Sequence, residues 1–235
     1  YIIRNEERFF SARELHRLFR ELSSHERVQN FLEEINEKRN TLLHYITENK
    51  YGDWTNETLI LLFFFLTRNK VSALLMTPGQ NGLTPIHHIA NNVSRNWDDD
   101  TLRLVVDYLE VDHLSTVLRI AEQDRKDTVL HIIVRNECTK WSCDSLVVML
   151  SGLHGTTELP LLLAQETCNR WTMLHIASFY ADLSTIKFIL LSLGARAEQE
   201  AIKKVNDNGL QQLDAYELAR LNTKDREAAL FAAEN

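Results

Sequence analysis

Apolar side chains recur at helical spacing along most of this chain, in short segments that polar turns separate. Two such segments lie between residues 11 and 35, and each begins with a Ser-x-x-Glu pattern (Ser11–Glu14 and Ser23–Glu26) typical of a capping box. Each has a single apolar stripe, which predicts two helices that pack on one side only. The stripe residues are Leu15, Leu18, Phe19 and Leu22 in the first segment and Val28, Phe31, Leu32 and Ile35 in the second.

The longest apolar run, 59–66, would be apolar on every side of a helix that begins after Thr55. We expect neighbouring elements to cover this helix on most sides. The run is too short for a membrane span, which needs about 20 residues. Other short apolar segments stand directly before polar turns, and they predict an additional short helix at each of those places. These segments are 71–76, 114–120, 159–164 and 198–205.

A four-residue pattern, Thr-x-[Leu/Ile]-His, occurs four times, and each copy follows a polar turn. Its histidines fall 43, 44 and 44 residues apart, and recurrence at a fixed period indicates a stacked array of similar units. A weaker fifth copy is Asn208–Asp214, which aligns without gaps with Asn81–His87. The four clear copies pair Thr41 with His44, Thr84 with His87, Thr128 with His131, and Thr172 with His175.

These segments resemble the ankyrin repeat, whose marker is a turn followed by Thr-Pro-Leu-His-x-Ala. Asn81–Ala90 matches that marker almost residue for residue, and Thr172–Ala177 lacks only the proline. The family period is about 33 residues, so every full unit here is roughly ten residues longer. The resemblance implies an all-α, ankyrin-like helical solenoid with enlarged repeats and helical end caps. It also implies that the motif histidines are structural and hydrogen-bond with the motif threonine and neighbouring backbone.

On this basis the chain divides into an N-terminal part and a repeat array. Residues 1–37 are expected to form a helical cap or the end of an upstream domain, and 38–235 the ankyrin-repeat array. The amphipathic segment 224–235 predicts a helix that closes the array. The expected repeats are about 38–80, 81–123, 124–167, 168–205 and 206–235.

Three tryptophans stand ten residues after a motif histidine, and each directly precedes a residue suited to cap a helix. Two interpretations stay open for them. Each ring could fasten its own loop to the next repeat, or the rings could form an aromatic recognition surface, since tryptophan is enriched in interface hot spots. The exposure of the rings decides between the two. The pairs are Trp54 with Thr55, Trp97 with Asp98, and Trp141 with Ser142.

The formal net charge of −7 argues against nonspecific binding to nucleic acid or to an anionic membrane. Within this acidic chain, however, three of the turns carry basic residues: Lys38–Arg39, Arg125–Lys126 and Arg170, which Trp171 follows. The resemblance implies that such turns project beside a groove where partners bind. The turns are either ordinary solvated turns or a basic strip, anchored by Trp171, for an acidic peptide or protein.

Catalytic and metal motifs are absent from the sequence. The four motif histidines stand a full repeat apart and cannot converge on one ion, and the spacing of His131, Cys138, Cys143 and His154 matches no zinc pattern. There is no G-x-S-x-G and no H-E-x-x-H. Three cysteines are too few, and odd in number, for a disulfide framework, which favours a reducing compartment. We therefore expect no cofactor, no metal and no catalytic residue.

The sequence predicts a cytoplasmic scaffold for protein–protein interaction. It would hold a protein partner through its groove, finger turns or tryptophan-bearing loops, with no nucleic acid and no membrane insertion. One alternative is the recognition part of a larger enzyme, or of a bacterial effector delivered into the cytosol or nucleus of a host cell. A second alternative is a thiol- or metal-dependent enzyme, with Cys168 as its nucleophile beside a histidine.

Overall fold

The chain folds as an all-α protein in the computed structural model, which describes residues 12–22, 24–49, 54–93, 97–136 and 140–192. Within these ranges there is no β-strand, and one antiparallel bridge joins Ala121 to Thr128. None of the helices described is long and apolar enough to cross a membrane. The helices are α1 (Ala12–Glu21), α2 (His25–Glu33), α3 (Leu42–Glu48), α4 (Asn56–Phe64), α5 (Arg68–Met76), α6 (Pro85–Asn91), α7 (Asp99–Tyr108), α8 (Val111–Arg119), α9 (Val129–Arg135), α10 (Cys143–Leu150), α11 (Glu158–Leu163), α12 (Met173–Tyr180) and α13 (183–192).

The helices follow one another in a recurring order. A short helix that begins at the Thr-x-[Leu/Ile]-His motif (α3, α6, α9 and α12) is followed by a second helix (α4, α7, α10 and α13). A third helix precedes the next turn in the first three cases (α5, α8 and α11), so the predicted additional helices at 71–76, 114–120 and 159–164 are confirmed. The predicted helices at 198–205 and 224–235, and the fifth motif copy, lie outside the described residues.

The fold consists of two units, Tyr1–His113 and Leu114–Asn235, with the boundary inside α8. In the first unit, α1 buries Leu15 and Phe19, and α2 buries Val28 and Leu32, as their apolar stripes predicted, but the predicted stripe residue Ile35 lies beyond the end of α2 and is 55% exposed. The Phe19 ring meets the Phe65 ring edge to face at 5.0 Å between centroids. The N-cap of α2 is Ser24, whose hydroxyl accepts the Arg27 N–H at 3.3 Å, so the cap lies one residue later than the expected Ser23–Glu26 capping box. Ser11 and Ser23 lie outside the described residues.

Helix α4 differs from its prediction. Leu59, Leu62 and Phe63 are buried, but Ile60 is 50% exposed and Phe64 is 75% exposed. The expectation that neighbours cover this helix on most sides is therefore wrong for the face that holds these two side chains. A uniformly apolar run contains no information about which of its faces meets a neighbour.

The three loop tryptophans are part of the packing. Trp54, Trp97 and Trp141 are 2%, 1% and 6% exposed. The residues after them, Thr55, Asp98 and Ser142, are the N-caps of α4, α7 and α10, as predicted. The interpretation of these rings as an exposed aromatic surface is corrected, because almost no ring area is left for a partner. Their burial favours the alternative that each ring fastens its own loop.

Candidate functional site

The four motif copies fold identically. In each, the backbone N–H of the threonine donates to Nδ1 of the histidine three residues later, so the pair closes a capping box at the start of the helix. All four imidazoles are fully buried. The N–Nδ1 distances are 3.0, 3.3, 3.1 and 3.3 Å for Thr41–His44, Thr84–His87, Thr128–His131 and Thr172–His175.

The hydrogen bonds fix the tautomer of these rings. Because Nδ1 accepts from an amide, the ring proton lies on Nε2. Nε2 of His44 then donates to the Thr77 carbonyl at 3.0 Å, and Nε2 of His131 donates to the Gln165 carbonyl at 3.1 Å. Both carbonyls lie just before the next polar turn. His44 and His131 therefore each connect their own helix to the chain that leads into the following motif.

Burial keeps His44, His88 and His131 neutral at pH 7. It lowers the pKa of His44 to about 4, an effect that the nearby His88 reinforces, with ring centroids 5.9 Å apart. Burial also lowers the pKa of His88 and of His131 to about 4. Across the part of the chain that the structure describes, no group of three or more His, Cys, Asp or Glu side chains is arranged to hold a metal ion. Cys138 of the sequence-derived metal hypothesis lies outside that part.

The two described thiols have different surroundings. Burial, together with the carboxylates of Asp182 and Asp144, raises the pKa of Cys143, so its thiol is a weak nucleophile at neutral pH. Its Sγ donates to the Ser184 carbonyl at 3.5 Å. Cys168 is exposed, and its Sγ donates to the Asn169 side-chain carbonyl at 3.5 Å, which is an amide oxygen and not a base.

The turns before the motifs share one backbone feature. Two residues before each motif threonine, φ is positive: 64° at Arg39, 74° at Gly82, 59° at Lys126 and 62° at Arg170. This left-handed region favours glycine, because a side chain there costs roughly 1 kcal/mol. Only the second turn has the glycine. The other three place an exposed basic side chain where glycine would be less strained.

We expect Lys126→Gly to be more stable than Lys126→Ala by about 0.5–1 kcal/mol, because both remove the charge and only glycine relieves the left-handed backbone. Urea unfolding of the two variants measures this difference directly. Equal stabilities would show that the turn carries no backbone strain at this position.

In the second unit two basic turns lie side by side. The Cys168 N–H donates to the Arg125 carbonyl at 2.7 Å, which joins the turn before α9 to the turn before α12. The hydrogen bond brings Arg125, Lys126 and Arg170, all exposed, onto neighbouring turns. We call these three residues the basic turn pair. The described structure therefore brings together three of the basic residues that the sequence analysis predicted as candidates for binding a partner.

Acidic groups lie close to this surface, and Asp124 is an exposed carboxylate on the same turn as Arg125 and Lys126. Glu122 is buried, and its carboxylate accepts the backbone N–H groups of Asp124 and Arg125. Glu166 contacts Arg170 at 3.4 Å. Neither carboxylate contacts the side chain of Lys126.

Trp171 lies next to the basic turn pair and is partly covered, with its ring centroid 6.5 Å from that of Phe179. Its buried Nε1–H finds no hydrogen-bond acceptor among the described residues. Lys38 and Arg39 are exposed on a turn of the first unit, beside the turn that contains Gln80, whose N–H donates to Asn40 Oδ1 at 2.9 Å.

No protein-family model matches this chain, and no curated protein sequence matches it either. The likeness to ankyrin repeats therefore depends on the four motif copies and on the common way in which they fold.

Proposed function

We propose that this chain is a protein-binding module made of ankyrin-type repeats, and that it holds an acidic segment of a partner protein on the basic turn pair. The observation that supports this most is the grouping of Arg125, Lys126 and Arg170 on two hydrogen-bonded turns. Two of them occupy left-handed positions where glycine would be less strained. Strain that persists at an exposed position is typical of functional sites.

The repeat assignment has its own support. Four copies of one motif fold into the same capped helix, and His44 and His131 each reach a carbonyl just before the next motif. A unit linked in this way presents its turns as a row, which suits an extended partner segment. The solenoid arrangement of the whole chain is part of this proposal.

Charge favours an acidic partner. Although the chain has a formal net charge of −7 and Glu122, Asp124 and Glu166 lie nearby, the basic turn pair presents three exposed cations that attract carboxylates. Arginine binds carboxylates with two parallel hydrogen bonds, and Trp171 beside the cations offers an apolar contact. The module would act by binding, without chemistry of its own, in a reducing compartment such as the cytoplasm, where free thiols like those of Cys143 and Cys168 persist.

A labelled hexaglutamate peptide tests the proposal by fluorescence anisotropy at low salt and at physiological salt. The double variant Arg125→Glu/Arg170→Glu should bind the peptide at least tenfold more weakly, and its affinity should depend less on salt. The matched control, Arg13→Glu/Arg20→Glu, makes the same change of net charge at exposed positions of α1 and should stay within about twofold of the unmodified protein. Equal weakening in both variants, or no binding at all, would refute the proposed surface.

A further inference from the structure

A pocket of about 260 Å³ lies in the second unit, between the α9–α10 link and the α12–α13 link. Its origin is a difference in link length. Seven residues join the motif helix to the second helix in the first three cases (49–55, 92–98 and 136–142), whereas only 181–182 do so in the fourth. The fourth link therefore lacks the inserted residues and the tryptophan that the other three contain.

The open surface of the pocket is more polar than apolar, and it contains one charge. Asp182 is the single charged side chain among its lining residues, and Asn136, Ser142 and Thr185 add polar atoms at the edge. Tyr180, which is 42% exposed, offers most of the accessible apolar surface, because four other apolar lining residues are 6% exposed or less (Ile133, Val134, Trp141 and Leu146). A cationic group whose stem contacts Tyr180 suits this composition.

The tryptophan wall is held in place by Asn136, which has a left-handed backbone with φ of 47°. Its side-chain oxygen accepts the N–H groups of Lys140 and Trp141, both at 2.9 Å, and its amide donates to the Trp141 carbonyl at 2.7 Å. The pocket is thus largely preformed. The ammonium of Lys140 lies 4.2 Å from the centroid of the Trp141 ring and covers one face of this indole.

The carboxylate of Asp182 is likewise held in position by hydrogen bonds. Oδ1 accepts the Ser184 hydroxyl at 2.8 Å and the Thr185 N–H at 2.9 Å. Partial burial opposes ionisation of this carboxyl, but the hydrogen bonds from Thr185 and Ser184 outweigh it and lower the pKa of Asp182. The carboxylate is therefore ionised at neutral pH.

We propose that this pocket receives a lysine side chain of a partner protein, with the four-carbon stem against Tyr180 and Ala181 and the ammonium at Asp182. Arginine fits less well, because Oδ1 already accepts two hydrogen bonds and a guanidinium prefers both oxygens of a carboxylate. A volume of about 260 Å³ accommodates one side chain, and it lies below the usual range for drug-sized ligands, about 300–1,000 Å³.

The lysine pocket and the basic turn pair lie at opposite ends of the same helices, since the turns precede α9 and α12 and the pocket lies at their C-terminal ends. Helix α9 has seven residues, so the two surfaces are separated by at least about 10 Å. The pocket has the opposite charge preference from the turns. The inference that this pocket binds lysine goes beyond the proposed function and does not depend on it.

Titration with n-butylammonium, followed by the NMR shifts of the Trp141 indole and the Thr185 amide, tests the pocket without any partner. We expect saturable shifts with a Kd on the order of millimolar, and at least fivefold weaker binding of n-butanol, which has the same stem and no charge. Asp182→Asn should reduce the affinity for n-butylammonium to that of n-butanol. Asparagine caps helices as well as aspartate does, so the fold should persist.

Asp144→Asn is the matched control, because it removes an exposed carboxylate close to the pocket that does not line it. This variant should bind n-butylammonium as the unmodified protein does. Equal affinity for n-butylammonium and n-butanol would overturn the lysine assignment. So would an Asp182→Asn variant with unchanged affinity, or shifts confined to residues outside the pocket.

Discussion

Lowering the pH from 7 to 5 should reduce the free energy of unfolding of the protein. A single buried histidine such as His131 should contribute roughly 2 kcal/mol to that reduction. The folded pKa of His131 is about 4, below the ordinary value of 6.5. The unfolded chain therefore takes up a proton as the pH falls through 6.5, while the folded chain does not until about pH 4. The stability is fully present above pH 6.5 and is lost progressively between 6.5 and 4. His44 and His88 act in the same direction, although their proximity makes their effects non-additive.

Urea unfolding at pH 7 and at pH 5 measures this loss. The variant His131→Gln should be less stable than the unmodified protein at pH 7, and its change between the two pH values should be smaller by roughly 2 kcal/mol. His16→Gln, at an exposed position of α1, is the control and should keep the full pH dependence. If both variants showed the same dependence on pH, His131 would not be buried in its neutral form.

Replacing Trp97 by alanine should destabilise the protein by about 3–5 kcal/mol. Trp97 is 1% exposed and is the largest of the fully buried side chains in the described residues. Truncation removes its packing and leaves a cavity under the link between α6 and α7, which the surrounding helices can fill only in part.

Chemical unfolding of Trp97→Ala beside Phe64→Ala checks this expectation. Phe64 is also aromatic but is 75% exposed, so its truncation should change the stability by no more than about 0.5 kcal/mol. A small loss of stability in Trp97→Ala would mean that the ring does not hold its loop in place. That result would again favour the aromatic-surface interpretation.

Local features of this fold could be predicted from the sequence. The N-caps at Thr55, Asp98 and Ser142 and the additional helices α5, α8 and α11 follow from capping residues and helical spacing, which depend only on neighbours in the chain. The common fold of the four motifs follows in the same way, because the threonine and the histidine are three residues apart.

Features that depend on neighbours in space could not be predicted. The apolar run of α4 does not indicate that Phe64 is exposed, and the spacing of the tryptophans does not indicate that they are buried. Left-handed backbone has a sequence signal at Gly82 but none at Arg39 or Lys126. Asp182 and Tyr180 were missed as pocket residues, although the missing insertion in the fourth link was a signal that could have located them.

The central claim is that the buried motif histidines His44 and His131 each reach the chain just before the next motif, as they would in a repeat array. A NOESY spectrum of the imidazole Hε2 protons tests it most directly, since burial slows their exchange with water. We predict cross-peaks from His44 to Thr77 and from His131 to Gln165, pairs that the structure places within hydrogen-bonding distance at 3.0 and 3.1 Å. Absence of these cross-peaks, with contacts between the motif histidines themselves in their place, would contradict the repeat architecture.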